Sequence, residues 1–193
     1  TGMANEEEIK EAIEAAKEGG CKELAILHCV SGYPAPASDY NLKTLVDMQQ
    51  KFGLVTGLSD HTIDNISAIS SVVLGASIIE KHVTLDRNGG GPDDSFSLES
   101  KELKELCIDT KIAWKSLGNV DYSVKSSEKS YEKFRRSLYF VKDVKEGEVI
   151  TESHVKSIRP GYGLKPKELN RVLGSVMAIS AHKGDSVQEG HFI

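Results

Sequence analysis

Two histidines close two short, mostly apolar runs. One run is Gly57-Leu58-Ser59-Asp60-His61-Thr62 and the other is Ile78-Ile79-Glu80-Lys81-His82. The histidines stand 21 residues apart, one strand-helix-strand step. On neighbouring parallel strands, two imidazoles at equivalent heights can share a divalent ion. Water and substrate oxygens would fill the rest of its shell, as a Lewis-acid site needs. The same spacing suits two imidazoles that merely bond to backbone. Asp60 either orients an imidazole from behind or caps the next helix.

Other polar groups fall in comparable loops. Ser59, Thr62 and the backbone at Ser31 and Gly32 sit near strand ends and helix starts, where phosphates bind, although Ser and Thr there also serve as plain caps. Gly89-Gly90-Gly91-Pro92-Asp93-Asp94 offers a closely approaching backbone and then a carboxylate for a sugar hydroxyl or a metal; a solvated turn has the same composition. Arg159, in Ser157-Ile158-Arg159-Pro160-Gly161-Tyr162-Gly163, can anchor a carbonyl or carboxylate or lie free on the surface. His28, between Leu27 and Cys29, reads as a core histidine with a backbone partner.

The elements that position these groups alternate. Asn5 and Glu8 predict a capped helix with Ile9, Ala12, Ile13 and Ala16 on one stripe, ended by Gly19-Gly20. A strand follows over residues 24–30, then the Pro34/Pro36 loop. A second helix carries Leu42, Leu45, Val46 and Phe52 and stops at Gly53. Strands are expected at 54–58 and 76–83, flanking a helix at 66–74. Ser100 is expected to cap a last helix with Leu103, Leu106, Cys107, Thr110 and Trp114 inward. Such alternation predicts a parallel α/β sheet with ligands at the carboxyl ends of its strands, and His28–Tyr33, Ser59–Thr62 and His82–Asp94 all fall there. Residues 119–134 are short, polar and aperiodic, as in a linker. Beyond Arg135, a strand at 137–141 precedes a small β domain. Residues 142–150 and 180–187 echo one another, each with a Gly shortly before an extended segment, which hints at internal two-fold repetition.

Composition narrows the classes. The chain has 193 residues, 39% hydrophobic and 27% charged, with a net charge of -5. That argues against nucleic acid as main partner. No apolar run approaches bilayer length, so no membrane span is expected. The three cysteines, Cys21, Cys29 and Cys107, show no disulfide or metal pairing. They suit a reducing cytoplasm and read as small buried hydrophobes. The opening Thr1-Gly2-Met3-Ala4 reads as a turn after a strand, so the chain is expected to be the C-terminal piece of a longer protein.

Taken jointly, Thr1-Gly2-Met3, His28-Cys29 with Tyr33-Pro34, Gly57-Leu58-Ser59-Asp60-His61, Glu80-Lys81-His82, Gly91-Pro92-Asp93 and Arg159-Pro160-Gly161 resemble the sialic acid synthase family along essentially the whole chain. The resemblance implies the C-terminal half of a TIM (β/α)8 barrel over 1–118, a linker over 119–135 and an antifreeze-like (SAF, β-clip) domain over 136–193. It implies a transferase that condenses phosphoenolpyruvate with an amino-sugar aldehyde. His61 and His82 match the family's ligands for Mn2+ or Mg2+. Ser59 matches a phosphate contact, and Ser31 falls where loop backbone meets phosphoenolpyruvate. Tyr33 and Asp93 match sugar contacts. Arg159 matches an arginine supplied by the other subunit of a domain-swapped homodimer.

Ser31 with Tyr33, Ser95-Phe96-Ser97-Leu98, Arg136-Ser137-Leu138-Tyr139 and Arg159 through Leu164 look more like the pseudaminic acid branch, whose acceptor is a 6-deoxy-2,4-diacetamido sugar. N-acetylneuraminate and legionaminate synthases are the alternatives. A family carboxylate base and lysine phosphate contacts would lie in the absent barrel half, so the fragment alone is expected to be inactive. Outside the family, two readings compete: a carbohydrate-binding or scaffold piece, and a metal-dependent aldolase or hydrolase on a similar barrel.

Overall fold

The computed structural model describes residues 1–193. It divides into two compact units, Thr1–Val120 and Asp121–Ile193.

The first unit is built on helix α1 (Glu6–Glu18), strand β1 (Ala25–Cys29), helix α2 (Lys43–Phe52), strand β2 (Val55–Asp60), helix α3 (Ile66–Val73), strand β3 (Ile78–Lys81) and helix α4 (Ser100–Leu117). The three strands pair in parallel in the order β1-β2-β3. α1 begins as its sequence dictates. The Asn5 side chain accepts from the Glu8 amide at 3.0 Å, and Glu8 accepts from the Asn5 amide at 2.8 Å. Three acids in its first turn complement the positive end of the helix. α2 ends at Gly53, whose φ of 61° places it in the left-handed region that glycine adopts freely.

Gly57 sits where the sheet leaves no room. In register it lies between Leu27 of β1 and Ile78 of β3. A Cβ there would stand 2.5 Å from the Ile78 carbonyl oxygen and would also collide with Leu27. The apolar core of this unit is distributed. Ile13, Ile26 and Met48 pack on one side, Ala35, Tyr40 and Leu58 on another, and Ala68, Leu98 and Leu106 under α4.

Several expectations are corrected. β2 runs two residues further than read, through Ser59 and Asp60, because both side chains find partners on β3. α4 is capped by Glu99, in a reciprocal arrangement with Glu102, and Ser100 is its first helical residue. Trp114 points to solvent, 66% exposed, and Cys107 is exposed too. Helical spacing fixes which residues share a stripe, but a stripe is buried only where a neighbour covers it. Cys21 is exposed and Cys29 half-buried, so the cysteines are not a buried set.

The second unit holds a short antiparallel pair, β4 (Ser137–Phe140) with β5 (Val155–Ile158), and a one-turn helix α5 (Leu169–Val172). A 3₁₀ turn covers Lys129–Phe134, inside the stretch read as linker. One cluster around Leu138, Phe140, Val144, Ile150, Val172 and Val187 forms a single core.

The echo between 142–150 and 180–187 is a physical pairing. Val144 and Ala181 exchange both backbone hydrogen bonds at 2.9 Å. Beyond them, the Lys145 amide donates to the Glu148 carboxylate and the His182 amide to the Asp185 carboxylate. Each turn also takes a side chain from the other. The Glu146 amide donates to Ser180 Oγ at 3.0 Å, and the Lys183 amide donates to Asp143 Oδ1 at 2.7 Å. Gly147 and Gly184 occupy the matching left-handed positions, at φ of 78° and 102°. Strand β5 went unread, since Val-Lys-Ser-Ile is too short to show alternation.

Candidate functional site

The carboxyl ends of β1, β2 and β3 open into a cavity of about 610 Å3 in the first unit. Cys29, Tyr33, Ser59, His61, Glu80 and His82 line its polar end. Strand alternation decides this membership. Side chains two apart share a face, so Ser59 accompanies His61, and Glu80 accompanies His82. Asp60 and Lys81 point to the opposite face.

His61 is buried and held at three points. Its amide donates to the Tyr40 hydroxyl at 2.6 Å, its carbonyl accepts from the Ala35 amide at 3.0 Å, and its Nδ1 lies 2.8 Å from the Val30 carbonyl oxygen. His82 is half-buried, with its carbonyl taken by the Leu98 amide at 2.9 Å and its Nδ1 3.4 Å from Asp93 Oδ2. The two imidazole centroids are 5.2 Å apart at 70°. The Tyr33 ring leans over His61 at 4.3 Å and over His82 at 5.8 Å, and Phe96 closes the aromatic group at 5.2 Å from His82.

The hydrogen bonds also test whether a divalent cation suits this pair. A carbonyl oxygen only accepts, so His61 carries its proton on Nδ1 and leaves Nε2 with a lone pair. Beside His82 the nearest acceptor is the Asp93 carboxylate, 3.4 Å from Nδ1, a charge contact rather than a hydrogen bond. An oxygen acceptor on one ring nitrogen, orienting the other, is how metal-binding imidazoles are usually supported. The donor set therefore fits. No third His, Cys, Asp or Glu joins them as a ligating group, so two imidazoles are the protein's share of such a shell.

Loop 85–94 brings Asp93 to His82 through Asp94 and Arg87. The Asp94 carboxylate accepts from Thr84 Oγ1 at 2.6 Å and from the Gly91 amide at 2.7 Å, and these two bonds hold it below the usual carboxylate range. It lies so close that a Cβ on Gly91 would stand 2.8 Å from Oδ2. Arg87 spans to the base of α4, donating Nε to the Ser97 carbonyl at 2.8 Å and pairing with Glu102.

The structure thus gathers His61, His82, Tyr33 and Ser59 around one cavity, with Asp93 beside His82 but outside the lining. Ser59 Oγ donates to Glu80 Oε1 at 2.7 Å. Ser31 is exposed in the loop after β1, outside the cavity lining. Arg159 is exposed in the second unit, on a turn tied down where Ser137 Oγ donates to the Pro160 carbonyl at 2.8 Å. Asp60 makes no hydrogen bond to an imidazole and does not cap α3. Its Oδ1 accepts from the Thr62 amide at 2.9 Å and its Oδ2 pairs with Lys81. His28 meets its expected backbone partner, the Tyr40 carbonyl, at 2.5 Å. Three contributors went unread. Period-two alternation would have placed Glu80 beside His82. Tyr40 and Phe96 act through tertiary packing that spacing does not reveal.

Known proteins are similar to this chain in sequence and in fold. A family model described as the NeuB family matches residues 1–122, and one described as the SAF domain matches residues 135–193. The pseudaminic acid synthase of Campylobacter jejuni (strain 81-176) is 38% identical over 192 residues, which cover 100% of this chain and 56% of that protein. The N,N'-diacetyllegionaminic acid synthase of the same species is 37% identical, covering 98% and 58% respectively. The chain therefore spans little more than half the length of these relatives. Among solved structures, a sialic acid synthetase from Leptospira borgpetersenii, in complex with citrate, matches at 35% identity and a TM-score of 0.60, over 67% of this chain and 45% of that one. The spore coat protein SpsE of Bacillus subtilis matches at 27% identity and a TM-score of 0.58, over 100% and 60%. With a family model covering well over half of its residues and relatives this similar along its whole length, the chain belongs to the NeuB family and carries a SAF domain.

Proposed function

We propose that the full-length protein bearing this chain is a nonulosonic acid synthase. It condenses phosphoenolpyruvate with a 2,4-diacetamido-2,4,6-trideoxy hexose to give pseudaminic acid and phosphate. The observation that carries the reading is the pair of buried-to-half-buried imidazoles, 5.2 Å apart at adjacent parallel strand ends, inside a chain 38% identical to a pseudaminic acid synthase. In this reading the first unit is the C-terminal part of a (β/α)8 barrel, and the protein works as a homodimer.

His61 and His82 would hold a Mn2+ or Mg2+ ion through Nε2. Such an ion supplies Lewis-acid polarisation to an aldehyde oxygen. The chain's own residues do the rest of the local work. The Val30 carbonyl keeps the His61 proton on Nδ1, and the Asp93 carboxylate stands beside His82 Nδ1. Tyr33 walls the cavity with aromatic surface against which the open-chain sugar lies, and the buried Phe96 packs against Tyr33 at 5.6 Å. Asp93 binds polar substituents of the sugar, and Arg159 reaches it from the other subunit of a domain-swapped homodimer. Ser59 and the loop at Ser31 meet the phosphoenolpyruvate phosphate, and Ser59 exchanges its bond to Glu80 for the phosphate when it does so. In the reaction, C3 of the enol phosphate bonds to the aldehyde carbon and the carbonyl oxygen gains a proton. Water adds at C2 with loss of a proton, and phosphate departs with the bridging oxygen.

The test is phosphate release by the full-length protein given phosphoenolpyruvate and, separately, the 2,4-diacetamido-trideoxy hexose, its legionaminic counterpart and N-acetylmannosamine. Turnover fastest with the first supports the reading. Turnover fastest with one of the others moves the protein to that branch. Release without any sugar, or with none of the three, overturns the synthase.

A further inference from the structure

A buried ion pair lies behind the cavity, and the proposed chemistry makes no use of it. Asp60 and Lys81 face each other in register on β2 and β3, each immediately before one of the two histidines. Their side chains are 0% and 3% exposed. Lys81 Nζ donates to Asp60 Oδ2 at 2.9 Å, to the Thr62 carbonyl at 2.5 Å and to Thr62 Oγ1 at 3.3 Å. Asp60 Oδ1 accepts from the Thr62 amide at 2.9 Å. The residues before and after His61 are therefore both fastened to the residue before His82. All three ammonium protons have acceptors, which is the condition for a buried charge to persist.

A well-packed apolar pair would fill the same space without desolvating two charges. What apolar residues lack is direction. They cannot fix the Thr62 peptide, and with it the strand end that aims His61, relative to β3. On the cavity side the neighbouring register pair, Ser59 and Glu80, is also linked, at 2.7 Å. The strand ends are thus pinned on both faces. Resting on the reading that His61 and His82 act together, we propose that Asp60 and Lys81 are positioning residues that set the separation and orientation of the two imidazoles.

The test uses full-length protein, MnCl2 as the probe, and two independent readouts. Mn2+ binding is followed by electron paramagnetic resonance, and the imidazole resonances are followed by NMR in metal-free, 15N-histidine-labelled protein. The variants are two neutral double replacements, Lys81→Met/Asp60→Asn and, keeping a polar group on each strand, Lys81→Gln/Asp60→Asn, with His61→Ala as control. The expected result is Mn2+ affinity at least tenfold weaker in the first double variant, a smaller loss in the second, and a displaced His61 resonance in both. Should the first not fold, Lys81→Gln/Asp60→Asn carries the test in the same sense. Wild-type Mn2+ affinity together with unshifted His61 resonances in a folded variant overturns the proposal and leaves the metal reading intact. Failure of the wild type itself to bind Mn2+ instead removes the metal reading. The brace is then decided by the NMR, where unshifted resonances refute it and shifted ones sustain it.

Discussion

Replacing Tyr40 with Phe removes one oxygen and should loosen His61 from behind. The Tyr40 ring is fully buried against Ala35 and Leu58, and Phe fills the same space. What disappears is the acceptor for the His61 amide at 2.6 Å, along with a long contact to the Ser59 carbonyl at 3.5 Å. Nothing else stands ready to take that buried N–H. An orphaned buried donor costs about 1–3 kcal/mol. Opening at His61 should become easier by the same amount, so its amide should exchange with solvent about 5- to 150-fold faster. Hydrogen exchange read at His61, beside a urea melt of the full-length protein, measures both. Burial pushes the Tyr40 phenol up to about 12, so the hydroxyl stays protonated across ordinary conditions and the effect should be flat between about pH 6 and 9. Unchanged His61 protection, with an unchanged urea midpoint, would refute the claim that this hydroxyl holds the backbone of the histidine.

Further outcomes follow from the same contacts. The Tyr40 phenol ionises near 10 when unfolded and near 12 when folded, so the unfolded state sheds its proton first. Stability should fall by on the order of 2 kcal/mol as pH climbs from 10 to 12, and Tyr40→Phe should abolish that component of an alkaline titration. Gly57→Ala should destabilise by roughly 3 kcal/mol or more, or yield insoluble protein, because its Cβ would press on the Ile78 carbonyl of one neighbouring strand and on Leu27 of the other. Leu138→Ala should cost the second unit about 2–5 kcal/mol in thermal or urea unfolding, since Leu138 is fully buried in that unit's single core. Asp94→Ala should speed limited proteolysis around residues 89–91 and, in the proposed synthase reaction, raise the KM for the sugar, because the bonds to Thr84 and Gly91 that shape the loop are lost.

The legible parts of the molecule were those encoded locally. Asn5 with Glu8 specified the start of α1, and Gly53 the end of α2, because cap chemistry involves residues three or four apart. The alternation of helices and strands, and with it the two histidines at strand ends, came from the change of hydrophobic period. What the sequence hid depends on distant neighbours. Whether Trp114 is covered is decided by elements beyond α4. Glu99 outcompeted Ser100 as a cap because its carboxylate also takes the Arg87 amide, at 3.1 Å across the loop. Tyr40 carries no local signal, yet its hydroxyl accepts the backbone amide of His61, 21 positions later.

The reciprocal turns of the second unit make its folding indivisible at that point. Neither Gly147 nor Gly184 lies in an independent hairpin, since each turn takes a polar side chain from the other, 34 and 40 residues away. A loop insertion at one tip would therefore unsettle the far tip as much as its own. A tag, a crosslink or a circular permutation placed there should fail where the same change at the exposed 119–127 stretch is tolerated. For an engineer, the unit has one such joint where its outline suggests two.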